Sequence, residues 1–167
     1  MNKMNKNPNS VYKIRFSDCD LFGHLNNARY IDYFMNARED HLKENYNLNL
    51  TAFYKNGISW VVTSHEISYL HSAIYDEMVT IKSSLLAADS DALYVELIMM
   101  DERQSHLKAI MRTKFTAINP KTGKKEPHTS DFMEWAESVK NDNAGKQTNL
   151  QDRIKELRNA LKEKEVV

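Results

Sequence analysis

The stretch RFSDCDLFGHLNNARYIDYFMNAR, residues 15–38, connects a strand to a helix and decides the fold. At its upstream end, Tyr12, Ile14 and Phe16 alternate with polar residues, which is the period-two pattern of a half-buried strand. The pattern stops at Ser17. The sequence therefore predicts a strand that ends where an acidic turn begins.

A turn and the start of a helix follow that strand. Gly23 permits backbone conformations that other residues resist, and Asn26 or Asn27 can cap the helix. The helix is indicated by the spacing of apolar Tyr30, Ile31, Phe34 and Ala37. We therefore expect an acidic residue near the N-terminus of a helix.

This helix is predicted to run from about residue 27 to residue 43. Apolar residues nearly encircle its first half, and a helix that is apolar all round is buried. Its second half carries five charged residues: Arg38, Glu39, Asp40, Lys43 and Glu44. We therefore expect the first half of the helix to be enclosed by other structure and the second half to be amphipathic and solvent-exposed.

Four strands are predicted downstream, over residues 58–69, 78–88, 92–101 and 107–118. The last three are separated by short polar turns, so they are expected to be antiparallel neighbours. Their alternating residues give one continuous apolar face. An α+β fold in which a one-sided sheet covers the helix satisfies both patterns.

The 167 residues are long enough for one domain with a sizeable core. We expect a disordered tail over residues 1–10, a domain over 11–139, a linker over 140–148 and a helix over 149–167. A short helix capped by Ser130 is predicted at the end of the domain. The last helix has one apolar stripe, formed by Leu150, Ile154, Leu157 and Leu161. That stripe must lie against its own domain, a second copy or another protein.

Composition narrows the class of protein. Lys+Arg and Asp+Glu number 23 each, so no net charge favours a nucleic-acid surface. The single cysteine, Cys19, excludes an intramolecular disulfide, and no Cys/His cluster has zinc spacing. The N-terminus lacks the apolar core of a signal peptide, and no run approaches the ~20 apolar residues of a membrane span. We expect a soluble, cytoplasmic protein that binds neither nucleic acid nor metal.

The residues now named carry a family resemblance. The motif Asp-x-Asp, Gly-His, Asn-Asn and then Tyr in the helix resembles that of the hotdog-fold acyl-CoA thioesterases of the 4-hydroxybenzoyl-CoA thioesterase family. The resemblance covers residues 11–135. It implies an antiparallel sheet wrapped around one long central helix, and pairing of two sheets edge to edge as a homodimer, often stacked into a homotetramer. It also implies hydrolysis of an acyl-CoA.

Matched to that motif, Asp20 takes the place of the catalytic carboxylate and Asn27 that of the backbone N–H that contacts the thioester carbonyl. Gly23, His24 and Tyr30 complete the substrate-binding part of the motif. The chemistry agrees, because a free N–H and the positive end of a helix dipole stabilise the charge that develops on the carbonyl oxygen. A carboxylate beside it can act as general base on water or attack the carbonyl directly.

Several alternatives remain open for these residues. Asp20 can also be a turn residue, and His24 can order the turn rather than contact the substrate. Asp18 is expected to hydrogen-bond backbone at the strand end rather than supply a second carboxylate. Cys19 lacks a readable His/Asn arrangement that would make it a nucleophile. The phosphates of coenzyme A have five candidate partners: Lys82, Arg103, Lys108, Arg112 and Lys114.

The hypothesis from the sequence is a thioester hydrolase that needs no cofactor and releases a fatty or aromatic acid from an acyl-CoA, or from an acyl-carrier-protein thioester. Apolar residues around Asp20 favour such an acyl group. Hydration of an enoyl-CoA is a second enzymatic reading. A non-catalytic acyl-CoA-binding or scaffold protein, with the last helix contacting a partner, is the alternative from another class.

Overall fold

The computed structural model describes residues 4–144 and 149–165. In chain order its strands and helices are β1 (Asn9–Lys13), α1 (Asn27–Tyr46), α2 (Leu50–Lys55), β2 (Ser59–Tyr69), β3 (Met78–Ala88), β4 (Ala92–Asp101), β5 (Leu107–Ile118), α3 (Ser130–Val139) and α4 (Leu150–Glu165). A 3-10 turn, Phe16–Asp18, follows β1. Among the described helices, none is long and apolar enough to cross a membrane.

The five strands form one antiparallel sheet in the order β1-β3-β4-β5-β2, so β1 and β2 are its edges. The bounds of β3, β4 and β5 coincide with the predicted strands, and β2 begins one residue later than predicted. Short polar turns between strands that alternate apolar and polar residues produce this meander. The predicted α+β hotdog fold is confirmed.

Helix α1 lies across the inner face of the sheet. Its buried residues recur three or four positions apart, and they are Tyr30, Tyr33, Phe34, Ala37, Arg38 and His41. They pack against alternate residues of the central strands, such as Val79, Leu97 and Met111. The helix is therefore buried along one side, and the expectation that its first half is buried all round is wrong, since Asp32 and Asn36 are exposed.

Arg38 is the second correction to the prediction for α1. It was expected on the solvent-exposed half of the helix, yet its side chain is only 6% exposed. It lies one helical turn after Phe34 and therefore on the stripe that faces the sheet, where it donates a hydrogen bond to Ser83 on β3. The helical period, rather than the charge of the side chain, decides which way this residue faces.

Helix α4 covers the outer face of the sheet. Leu150 and Ile154 pack there with four buried residues of β4 and β5: Ile98, Met100, Leu107 and Ile110. The apolar stripe of the last helix thus docks on its own domain. A buried carboxylate joins the two layers, because Glu96 accepts hydrogen bonds from Arg112 on β5 and from Arg153 on α4, at 3.2 and 3.0 Å.

The ends of the chain differ from the sequence prediction. Residues 1–10 were expected to be a disordered tail, but β1 begins at Asn9, and Pro8 accepts a backbone hydrogen bond from Ser83 of β3. Of the predicted linker 140–148, residues 140–144 continue from α3, and Ala144 is buried. Residues 1–3, 145–148 and 166–167 lie outside the described residues.

Three local predictions also change. Strand β1 ends at Lys13, so Phe16 belongs to the 3-10 turn and is exposed. Helix α2 was not predicted, because its six residues are too few to show a helical period, although Asn49 caps it as expected for that residue type. Helix α3 begins at Ser130 and is capped by Thr129, whereas Ser130 was predicted to be the cap.

Candidate active site

The predicted site is a small hairpin between the 3-10 turn and α1. The N–H of Asn26 donates to the carbonyl of Asp18 at 2.9 Å, and the N–H of Asp20 donates to the carbonyl of His24 at 2.8 Å. Gly23 closes the turn with a φ of 72°, a conformation that favours glycine. These contacts place the acidic pair and the start of the helix on one short, ordered connection.

The hairpin is tied to the segment that leads from β2 to β3. Ala73 O accepts from Leu25 N, and Gly23 O accepts from Tyr75 N, each at 2.8 Å. The phenol oxygen of Tyr30 accepts from the N–H of Ala73 at 2.9 Å. Tyr30 is 2% exposed, so a buried side chain of α1 holds this segment against the helix.

Asp20 is exposed, and its two carboxylate oxygens have different surroundings. Oδ1 accepts hydrogen bonds from the N–H groups of Phe22 and His24, at 2.9 and 3.1 Å. Oδ2 accepts none from the residues that the structure describes. One oxygen therefore holds the turn in shape, while the other is available for chemistry.

Asn27 is the first residue of α1 and is exposed. Asn26 is the cap, and its Oδ1 accepts from the N–H of Ala28 at 3.1 Å. Within the described part of the chain, the N–H of Asn27 donates no hydrogen bond, as is usual for the first turn of a helix. It is an available donor at the positive end of the helix dipole.

Tyr69, at the end of β2, contacts the first residue of α1. Its hydroxyl donates to the carbonyl oxygen of Asn27 at 2.9 Å, and its ring meets the Tyr30 ring edge to face, with centroids 5.1 Å apart. Sequence reasoning missed Tyr69, because its contact joins residues far apart in the chain. Its place at the end of an exposed strand was the only available signal.

Asp18 has a structural role. Its Oδ2 accepts a hydrogen bond from the Tyr33 hydroxyl at 2.8 Å, and its Oδ1 lies 3.8 Å from Nε of Arg29. The Tyr33 oxygen also accepts from the N–H of Arg15 at 3.0 Å. The side chain of Asp18 therefore binds a tyrosine of α1, where a hydrogen bond to backbone was expected.

Cys19 lies between the two acids. Burial raises the pKa of its thiol above the ordinary value, and the charges of Asp18 and Asp20 raise it further. The protonated thiol points to the carbonyl of Arg15, with Sγ at 3.4 Å from the oxygen. A thiol held protonated is a poor nucleophile.

Around Asp20 the surface is apolar. Five exposed side chains form this apolar rim: Phe16, Leu21, Phe22, Ile74 and Tyr75. The His24 ring lies 6.4 Å from the Phe22 ring, centroid to centroid, and is exposed. An exposed cluster of this kind marks a surface that binds a ligand or another chain.

The five basic candidates for the coenzyme A phosphates are in different surroundings. Lys108 pairs with Glu77 at 2.6 Å, and Arg112 pairs with Glu96 on the outer face. Lys114 lies over the Tyr94 ring, and Lys82 is half-buried. Arg103 is exposed in the turn between β4 and β5, at the same end of the sheet as the hairpin.

No group of three His, Cys, Asp or Glu side chains among the described residues is arranged to hold a metal ion. Of the predicted site residues, Asp20, Gly23 and His24 lie in the hairpin, and Asn27 and Tyr30 lie in the first turn of α1. All five therefore lie at one end of the molecule, where Oδ2 of Asp20 and the N–H of Asn27 have no hydrogen-bond partner among the described residues.

A long helix across a five-stranded antiparallel sheet, with this carboxylate hairpin at its start, defines the class of hotdog-fold thioester hydrolases. Residues 14–136 match the family model of the thioesterase-like superfamily, and the chain belongs to that family. The family identifies the protein as a thioester hydrolase.

Individual relatives agree with this. The chain is 28% identical over 113 residues to the long-chain acyl-CoA thioesterase FadM of Escherichia coli (strain K12). The matched region covers 67% of this chain and 83% of FadM. The crystal structure of YbaW, a probable thioesterase from Escherichia coli, covers 80% of this chain and 98% of its own, with a TM-score of 0.69 and 25% identity. A DHNA-CoA thioesterase from Staphylococcus aureus is 19% identical and covers 92% of this chain and 94% of its own, with a TM-score of 0.71, so it shows a shared fold.

Proposed function

We propose that this protein hydrolyses the thioester bond of an acyl-CoA at the Asp20 hairpin, releasing a free acid and coenzyme A. The observation that carries the proposal is that one ordered connection presents two groups without hydrogen-bond partners among the described residues: Oδ2 of Asp20 and the N–H of Asn27. FadM, a relative by sequence, bears the name of a long-chain acyl-CoA thioesterase.

In the proposed reaction the thioester carbonyl accepts a hydrogen bond from the N–H of Asn27. Negative charge develops on that oxygen as the carbonyl carbon is attacked, and the helix dipole favours it. One such donor lowers a barrier by about 3 kcal/mol in other oxyanion sites. Tyr69 binds the Asn27 carbonyl oxygen, in the peptide unit next to the donor N–H, and so restrains the start of α1 beside the donor.

Asp20 supplies the second half of the chemistry. As general base, its Oδ2 takes a proton from water while the water oxygen bonds to the carbonyl carbon. The tetrahedral intermediate then collapses, the C–S bond breaks, and the thiolate leaves and takes up a proton. As nucleophile, Asp20 would instead form a mixed anhydride that water hydrolyses. Both routes use the same oxygen and need no cofactor.

The substrate is proposed to be a fatty or aromatic acyl-CoA. The apolar rim beside Asp20 suits an apolar acyl group, because burying it on binding removes apolar surface from water. Arg103 is the candidate we favour for a phosphate of coenzyme A, since it is exposed at the same end of the sheet. A pantetheine arm carried by an acyl carrier protein would meet the same hairpin.

A homodimer is proposed through the edge strand β2. The middle residues of β2 are exposed, and they include two apolar ones: Val61 is 40% exposed and Val62 is 43% exposed. An open edge with apolar side chains pairs readily with a second strand. Helix α4 covers the outer face of the sheet, so the edge, rather than that face, is left for a second copy. The mass in solution tests this, and an Arg substituted at Val61 is expected to give a monomer.

The test of the proposed function is thiol release from acyl-CoA substrates of increasing chain length, with benzoyl-CoA as the aromatic case. We expect saturable hydrolysis of at least one of them. If release stays flat over the whole panel while the same esters raise the melting temperature, the protein binds acyl-CoA without cleaving it, and the proposal is wrong. Crotonyl-CoA that is hydrated without thiol release would indicate the enoyl-CoA reaction instead.

A further inference from the structure

A cavity lies at the other end of the sheet from the Asp20 hairpin. It has a volume of about 250 Å³ between α1, α2, α3 and the inner face of the sheet. Trp60 at the start of β2 lines it, whereas Tyr69 at the end of the same strand contacts Asn27 at the start of α1. Most of its lining is apolar and aromatic, with Phe53, Phe115, Phe132 and Trp135 among the residues.

Two charged residues line the cavity: Arg38, which is buried, and its neighbour Glu39, which is exposed. Arg38 is 6% exposed, and its Nη1 donates to Ser83 Oγ at 3.1 Å. Among the side chains that the structure describes, no carboxylate lies within 4.0 Å of the guanidinium. Burying a charge without a counterion is unfavourable. The guanidinium therefore lines a mostly apolar cavity and has no ion-pair partner among the described residues.

The polar neighbours of Arg38 are Ser83, His41 and Tyr46, and none of them supplies a negative charge. Tyr46 lies beside the guanidinium, and burial raises the pKa of its phenol above the ordinary value. His41 bonds Ser83 Oγ at 2.8 Å through Nδ1 and Ser10 Oγ at 3.1 Å through Nε2. Burial, together with the charge of Arg38, lowers the pKa of His41 to about 4, so its ring is neutral near pH 7. Burial likewise lowers the pKa of Arg38 to about 10, which still leaves the guanidinium protonated near neutral pH.

We propose that this cavity binds a small carboxylic acid, with its carboxylate on the Arg38 guanidinium and its apolar body among the aromatic rings. A planar guanidinium offers two parallel N–H donors that match a carboxylate. The aromatic lining favours an acid with an apolar body over a phosphate ester, which would leave polar oxygens against the rings. The volume lies just below the ~300–1,000 Å³ of drug-sized sites, so a medium-chain or one-ring acid fits it.

The cavity is separate from the proposed thioester site. Arg38 follows Asn27 by 11 residues on one helix, which places it about 16 Å further along the helix axis. A small acid bound at Arg38 therefore leaves the Asp20 hairpin free. The inference does not depend on the proposed hydrolysis, because the binding can be measured without turnover.

The experiment uses the fluorescence of the two tryptophans of the chain, both of which line the cavity. Octanoate, 1-octanol and octylammonium are titrated into the purified full-length protein at neutral pH. Octanoate is expected to change the fluorescence saturably and to bind at least about tenfold more tightly than octanol, from its charge-assisted hydrogen bonds. Octylammonium is expected to bind more weakly than octanol.

Substitutions at three positions test whether Arg38 holds the carboxylate. Arg38→Met is expected to lose the preference for octanoate over octanol. Arg38→Lys keeps the positive charge and is expected to keep part of that preference. If Arg38→Met does not fold, the preference measured in Arg38→Lys tests the proposal. Arg158→Met, an exposed arginine on α4, and Asp20→Asn are expected to bind octanoate as the parent protein does. Equal binding of octanoate and octanol by the parent, undiminished preference in both Arg38 variants, or loss of octanoate binding in Asp20→Asn would each overturn the proposal.

Discussion

The hydroxyl of Tyr69, at the end of β2, donates a 2.9 Å hydrogen bond to the carbonyl oxygen of Asn27, the first residue of α1. An edge strand of the sheet is thereby connected to the peptide whose neighbouring N–H is proposed to bind the thioester carbonyl. In the proposed reaction Tyr69 is therefore a positioning residue rather than a catalytic one.

Replacing Tyr69 by Phe removes this hydrogen bond and keeps the ring. One hydrogen bond contributes about 1 kcal/mol, so we expect kcat to fall about fivefold while KM changes little. Tyr54→Phe, an exposed tyrosine on α2, is the matched control and should leave both parameters unchanged. Equal effects of the two substitutions would contradict the positioning role.

Glu96 holds α4 to the sheet through Arg112 and Arg153. The Glu96 side chain is 1% exposed, so Glu96→Gln leaves the half-buried Arg112 without its carboxylate partner and Arg153 with Glu156 alone. We expect the free energy of unfolding to fall by about 3 kcal/mol, measured by urea denaturation. Glu134→Gln, at an exposed position of α3, should change it by less than about 0.5 kcal/mol.

Deleting residues 147–167 tests the docking of α4. The deletion uncovers Ile98, Met100 and Ile110 on the outer face and removes the buried Leu150 and Ile154. Losing the burial of those two side chains is expected to lower stability by about 3–6 kcal/mol. We also expect the shortened protein to associate into larger species in light scattering, whereas an unchanged mass and melting temperature would show that α4 does not cover this face.

His41 makes stability depend on pH. Burial lowers the pKa of its imidazole from 6.5 to about 4, so the unfolded chain takes up a proton in that window and the folded chain does not. Stability therefore falls as the pH falls from about 6.5 to about 4. The loss between pH 7 and pH 5 is expected to be about 2 kcal/mol.

The measurement is urea denaturation at both pH values for the parent protein and for His41→Gln. The glutamine variant is expected to be less stable at pH 7 and to show a smaller change between the two pH values. His106→Gln, an exposed histidine, should retain the full pH dependence of the parent. A parent protein as stable at pH 5 as at pH 7 would contradict this role of His41.

The strands of the sheet could be predicted because alternation and polar turns are local signals. Arg38 shows the limit of local signals. Its charge indicated a solvent-exposed face of the helix, but its position in the helical repeat places it on the buried face. Tyr33 and Tyr69 stabilise the candidate site through contacts across 15 and 42 residues of sequence, which no local pattern reveals. The motif predicts roles for Asp20 and Asn27, but it did not show that Asp18 binds Tyr33.

The proposed hydrolysis requires Asp20 to supply the carboxylate. In Asp20→Asn the amide oxygen can still accept from the N–H groups of Phe22 and His24, so the hairpin and the melting temperature should be retained. The lost carboxylate should lower kcat/KM for the best acyl-CoA by at least about 100-fold. Asp32→Asn, an exposed acid on α1, should cleave at the parental rate.

The decisive measurement is therefore the rate of thiol release by purified Asp20→Asn, beside its melting curve and the Asp32→Asn control. We expect a folded protein that has lost at least about 99% of its activity. A folded Asp20→Asn protein that cleaves the ester at the parental rate would contradict the proposed mechanism.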